Sequence, residues 1–121
     1  MVFLTKKEEK IVGKFVQQLK YSLDDKMVFL KLFGSKVRGD SSPDSDIDIL
    51  LVVREKTPAL RDLVFNILFD LDPYYEFKIS PIIYSDFEYK RNEELESTFI
   101  ETIKKEGIAL WKKKKPLLFT V

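Results

Sequence analysis

The chain has 121 residues, enough for one domain with a real core and too few for a catalytic domain beside a sizeable second one. It is 45% apolar and 34% charged with a formal net charge of +1, the composition of an ordinary globular protein with no global field pointing to nucleic acid. With no cysteine and no histidine, the chain itself excludes disulfides, thiolate or imidazole metal sites, cysteine nucleophiles and Ser-His-Asp catalysis, so any metal must be held by oxygen ligands.

The opening MVFLTKKEEK carries its charges after a short apolar start, the reverse of a secretory signal, and no apolar run is long enough to cross a bilayer. A cytoplasmic protein with no membrane partner is expected. Thr5 and Glu8 form a predicted capping box, and Ile11, Val12, Phe15, Val16, Leu19 and Leu23 recur at helical spacing, which predicts an amphipathic helix over 6–23. MVFLKLFG is a short, nearly continuous apolar run that stops at Gly34, the pattern of a strand buried on both faces. Ser35 to Ser45 reads as a loop of turn formers, and DIDILLVV follows as a second strand.

Thr57 as N-cap and Pro58 at the first helical position start a second helix, which carries Leu60, Leu63, Val64, Ile67, Leu68 and Leu71 up to the stop at Pro73. The aromatic and β-branched YYEFKISPIIYS predicts a third strand over about 74–84, with Pro81 marking an edge or a bulge. Asp86 is expected to cap a short helix. Thr98 and Glu101 read as a further capping box for a helix with Phe99, Ile100 and Ile103 on its apolar face, ended by Gly107. The order predicts a single domain of mixed α/β (α+β) class over 1–121: a small mixed sheet with helices packed against it, a core over about 5–111 and a basic tail over 112–121.

One stretch, GSKVRGDSSPDSDIDILLVV, carries the chemistry. In a strand, residues two apart face the same way, so Asp46 and Asp48 project together and repel each other unless a cation sits between them. The natural occupant is a hard divalent ion such as Mg²⁺, which takes oxygen ligands and completes its shell with waters and phosphate oxygens. Upstream, Gly34 and Ser35 open a turn whose backbone N–H groups can cradle phosphate, with Lys36 and Arg38 adding positive charge. These are the parts needed to hold a metal-bound nucleoside triphosphate for in-line attack on phosphorus.

The GS, the RGD, the short loop and SDIDILLVV together resemble the G-S-x-x-R-G-x-x-x-x-x-S-D-x-D-h-h-V signature of the minimal nucleotidyltransferase domains, the smallest branch of the polymerase-β-like nucleotidyltransferase fold. The likeness covers roughly residues 5–111, including the flanking helices, the third strand and an ending similar to FIETIKKEGIALW. It implies transfer of a nucleotidyl group, AMP from ATP, to an acceptor hydroxyl. Gly34 and Ser35 would bind the triphosphate, Asp46 and Asp48 Mg²⁺, and Arg38 would help with phosphate charge. It further implies a small helical partner of the HEPN ribonuclease type, with the nucleotidyltransferase as antitoxin passing AMP to a tyrosine of the toxin. Active members of that family supply a third carboxylate from a neighbouring strand. Here Ser80 and Pro81 stand where it is sought, and Glu76, which would share strand parity with Ser80, is the candidate acid.

The competing reading is a catalytically weak nucleotide-binding subunit that acts by docking to a partner. RGD at 38–40 overlaps the larger motif and needs no adhesion role. Lys112 to Lys115 is read as a solvated basic tail, with an RNA or acidic-partner patch as its alternative.

Overall fold

The computed structural model describes residues 3–40, 42 and 44–113. Helix α1, Lys6–Leu23, starts at the expected capping box: the Thr5 hydroxyl accepts from the Glu8 amide at 3.1 Å, and the Glu8 carboxylate accepts from the Thr5 amide at 2.8 Å. A single 3₁₀ turn, Asp24–Lys26, leads into β1, Met27–Phe33. Gly34 then separates β1 from a one-turn helix α2, Ser35–Arg38, and β2 runs Ile47–Val53. Helix α3, Pro58–Leu71, has Thr57 as its cap and ends before Pro73 as expected. After it come β3, Ile79–Ser85, the helices α4, Asp86–Glu94, and α5, Thr98–Glu106, and a last strand β4, Ile108–Lys112. No helix among the described residues is long and apolar enough to cross a membrane.

The four strands form one mixed sheet in the order β3-β2-β1-β4. β1 is antiparallel to β2 and β4, and β3 is parallel to β2, so the mixed sheet with packed helices predicted from the sequence is the fold observed. The alternation along β2 sorts the core into two layers. Ile47, Ile49, Leu51 and Val53 pack with α1 and α3, whereas Leu50 and Val52 pack with Tyr89 of α4 and Ile100 and Ile103 of α5. β2 is therefore the sheet's central hydrophobic element, and its even-numbered residues face α4 and α5.

Several expectations are corrected. The third strand starts at Ile79, not near Tyr74, because Asp72 turns its carboxylate back onto the amides of Glu76 and Phe77 at 2.8 and 2.9 Å. Tyr75 and Lys78, with φ of +53° each, complete a turn that no strand can contain. Ser85, not Asp86, caps α4, in a capping box with Glu88. Ser97 caps α5 through its bond from the Ile100 amide, which makes Thr98 the first helical residue rather than the cap. The end of the core contributes a strand, β4, that takes in Lys112, the first residue of the expected basic tail; residues 114–121 lie outside the described residues. Pro81 does sit on an edge strand, where its missing N–H breaks no ladder.

Loop 34–40 is fastened from below. The Lys36 ammonium lies 3.0 Å from the Glu8 carboxylate with only 4% of its side chain exposed, and the Phe3 amide donates to the Lys36 carbonyl at 2.8 Å. Burial pushes the Glu8 carboxyl up, but the Thr5 amide and the Lys36 ammonium outweigh it and hold it below its ordinary 4.5. Its contribution to stability is thus fully present above that ordinary value and lost as pH falls through the depressed one. Lys36→Ala, which strands a buried carboxylate, is expected to cost about 3 kcal/mol in denaturant unfolding at neutral pH and less in acid. The double variant Glu8→Gln, Lys36→Met is expected to lose less than the two single changes together.

Candidate active site

The site forms where β1 ends and β2 begins. Asp48 shares the parity of Leu50 and Val52, so its carboxylate projects on the α4–α5 face, and Asp46 stands just ahead of the strand, near enough for its charge to act on Asp48. Asp46 is exposed and Asp48 half-buried. Burial raises the Asp48 carboxyl above its ordinary value, the charge of Asp46 raises it further, and Arg38 opposes both. The two carboxylates are therefore close enough to repel, as their spacing predicts.

Gly34 is pressed against this pair. Its φ is +83°, a conformation side chains rarely adopt, and a Cβ there would collide with Asp48 Oδ2 and stand 3.2 Å from Cγ. Backbone and carboxylate thus meet with nothing between them. Beyond Gly34, α2 turns so that the Val37 and Arg38 amides bond the Gly34 carbonyl, while Ser35 and Lys36, at the first positions, have no carbonyl behind them within the helix. Gly39, at φ +88°, ends the turn, with Phe3 filling the space a side chain would need.

Of the two cations expected at a phosphate, Arg38 is half-exposed beside the pair and bridges the Asp40 carboxylate at 3.2 Å and the Glu106 carboxylate, at the end of α5, at 2.9 Å. Lys36 is elsewhere: its ammonium is buried against Glu8, so its charge is committed to α1 and not offered to solvent. The Arg38–Glu106 pair was not legible in the sequence, since 68 positions separate the partners and no local pattern joins them.

The third acid is also absent from the strand. Ser80, of β3, pairs with Asp48 of β2 in parallel register, and Ser80 shares the face of Ile82 and Tyr84 and hence of Asp48. Glu76 lies in the turn before β3, exposed, with its amide on Asp72, so the strand parity that nominated it does not apply. Among the described residues no group of three carboxylates is placed to hold a metal. The pair nonetheless fits a divalent cation by the chemistry of its donors: hard anionic oxygens, mutually repelling, leaving coordination positions for water and phosphate. One residue the sequence did not single out for the site joins it. Tyr75, in the left-handed turn, is raised by burial and then by the charges of Asp46, Asp48 and Asp72.

A cavity of about 850 Å³ lies at the opposite end of the sheet, between Arg54 and Phe87, and shares no residue with this site. That cavity is lined by charges of both signs, Arg54, Lys56 and Arg61 with Glu55, Asp62 and Glu88, whereas the carboxylate pair faced by a bare glycine lies at the other end.

Comparison with known proteins agrees with the geometry. A nucleotidyltransferase domain family model matches residues 8–114. Two proteins of Methanocaldococcus jannaschii, each named "Putative protein adenylyltransferase", are 31% identical to the chain. The matches run over 81% of this chain and 93% of the first relative, and over 86% of this chain and 98% of the second. Among solved structures, a putative nucleotidyltransferase from Sulfolobus solfataricus superposes with a TM-score of 0.61 at 22% identity, covering 93% of this chain and 87% of that one. A toxin-antitoxin crystal structure with AMP-PNP gives 0.56 at 19% identity, covering 84% and 73%. At those identities the two structures speak for the fold.

Two variants test the geometry. Gly34→Ala is expected to destabilise the protein by about 1–3 kcal/mol in denaturant unfolding, from backbone strain and the displaced carboxylate. Asp48→Asn is expected to raise the melting temperature modestly at neutral pH, because the raised carboxyl means that its charged form opposes folding. That gain should fade as pH falls through the raised value toward 3.8 and be absent below it.

Proposed function

The chain belongs to the nucleotidyltransferase domain family and is a transferase, and from that premise we propose that it passes AMP from Mg²⁺-bound ATP to a hydroxyl on a partner protein. The observation that carries the proposal is the contact between Gly34 and the Asp48 carboxylate, which joins a bare backbone turn to a same-face carboxylate pair. In this reading the Ser35 and Lys36 amides would receive the outer phosphates, Arg38 would face their charge, and Asp46 and Asp48 would hold Mg²⁺. Bound there, Mg²⁺ offsets charge on the triphosphate and its leaving pyrophosphate. The rigid β1–β2 junction orients the α-phosphate, and the pinned loop keeps that orientation before the acceptor arrives. The relatives' names support adenylyl transfer to protein, and the toxin-antitoxin neighbour is in keeping with a role in such a pair; the small helical HEPN-type partner and the antitoxin role are what the sequence resemblance implies.

A second reading, a nucleotide-binding subunit of low activity that works by docking, is favoured by one observation: Ser80, and not an acid, stands beside Asp48. Calorimetric titration of ATP separates the outcomes. Mg²⁺-dependent binding is expected, with affinity falling at least about a hundredfold in the Asp46→Asn, Asp48→Asn double variant, consistent with two lost charge-assisted contacts. With ATP labelled at the α-phosphate, label is expected on a co-purified partner protein. Binding without any transfer leaves the docking subunit; no binding removes both readings.

A further inference from the structure

Lys112, read from the sequence as the start of a solvated tail, is folded back by β4 against β1, where it opposes Phe29 while Ala109 opposes Lys31. Lys31 in turn opposes Leu50 of β2, so both lysines stand on the sheet face that α4 and α5 cover. There, together with Lys104 of α5, they line a cavity of about 320 Å³ that also meets the Phe29 and Tyr89 rings.

Of the three ammonium groups only one is committed. Lys104 lies 3.1 Å from the Glu93 carboxylate and 4.0 Å from that of Glu101. Among the described residues neither Lys31 nor Lys112 has a carboxylate within ion-pair distance. Lys31 is half-buried, with its ammonium 5.3 Å from the Phe29 ring centroid. Burial lowers it below its ordinary 10.5, Lys112 and Lys104 lower it further, and Glu93 opposes them. An anionic group seated between Lys31 and Lys112 would relieve that repulsion.

The surroundings select the kind of anion. Lys31 covers the Phe29 ring and Tyr89 is buried, so neither ring offers an open face on which a base could stack. Glu93 and Glu101, beside Lys104, would repel a continuous row of phosphates yet tolerate an isolated carboxylate. β4, which carries Lys112, is an edge strand of the sheet, and the outer side of an edge strand can pair with an extended polypeptide. Ala109, small and exposed, lines the cavity on that same strand and leaves it open toward the edge.

We propose that the β4 edge and the lysine pocket behind it form a docking site for an extended acidic segment of another protein, which adds a strand to β4 and seats a carboxylate between Lys31 and Lys112. The inference does not depend on nucleotide transfer, since no residue of the pocket belongs to the Gly34, Asp46 and Asp48 site.

Fluorescence anisotropy of a labelled Glu-Val repeat peptide, titrated with the full chain in the absence of nucleotide, tests the proposal and leaves the transferase reading untouched. The peptide is expected to bind the parent, and the Lys31→Gln, Lys112→Gln double variant to bind it at least about tenfold more weakly. The Lys6→Gln, Lys20→Gln variant, which removes equal charge from exposed positions of α1, is expected to bind as the parent does. Both variants should melt close to the parent temperature, which separates a loss of affinity from a loss of fold. A labelled oligouridylate is expected to bind the parent more weakly than the peptide. Absence of peptide binding, an equal loss in the two double variants, or tighter binding of oligouridylate that the Lys31, Lys112 variant abolishes overturns the docking site.

Discussion

A strand buried on both faces has room for charge only where one of its covers runs out. β2 meets that condition at its start: α1 and α3 cover Ile47 and Ile49 on one face, while on the other the packing of α4 and α5 begins at Leu50. Asp48 occupies the last position before that cover, half-buried, with Asp46 two residues further out. Desolvation and repulsion are therefore built into the fold, which leaves a carboxylate more weakly solvated than it would be in the unfolded chain. A cation relieves both terms at once, and that is the physical sense in which the sheet's packing and the site's chemistry are one arrangement.

The same end of the sheet fixes what stands opposite. The register of β1 and β2 pairs Phe33 with Asp48, so the residue after Phe33 must pass directly over the carboxylate. Only a residue without a Cβ passes there, and Gly34 also takes the left-handed turn that starts α2. A four-residue helix has little stability of its own. It is held by the buried Lys36–Glu8 pair, by the Phe3 amide on the Lys36 carbonyl and by the Arg38–Glu106 bridge, which tie it to α1, to the segment before α1 and to α5. The α2 turn is thus positioned by contacts behind it, and its Ser35 and Lys36 amides have no carbonyl behind them within the helix.

Much of this was legible in the sequence because it is local. The Thr5–Glu8 box, the Thr57–Pro58 start and the apolar runs of β1 and β2 are written in neighbouring residues, and the structure bears them out. The spacing of Asp46 and Asp48 carried their shared face for the same reason. What misled was propensity overruled by a turn: Tyr74, Tyr75 and Phe77 favour strands, yet the Asp72 carboxylate captures two amides and bends the chain before β3. Misplacing that boundary also misplaced Glu76. The Lys36 ammonium pairs with Glu8 across 28 positions and Arg38 with Glu106 across 68, and no period in a single sequence encodes such pairs.

Ser80 bears on the acceptor. A third carboxylate in this position would draw the proton from an attacking hydroxyl, and the Ser80 hydroxyl is too weak a base to do so. On the proposed reading, part of that task passes to the acceptor. A phenol ionises near pH 10, about six units below a water-like hydroxyl at about 15.7, so a tyrosine needs far less help to become a nucleophile. A divalent cation held by the pair would act in the same direction, because it would neutralise the two carboxylates and remove their repulsion of an oxyanion brought to the site. A two-carboxylate site is thus chemically matched to an acidic hydroxyl. The serine beside Asp48 narrows the range of acceptors and does not of itself abolish transfer.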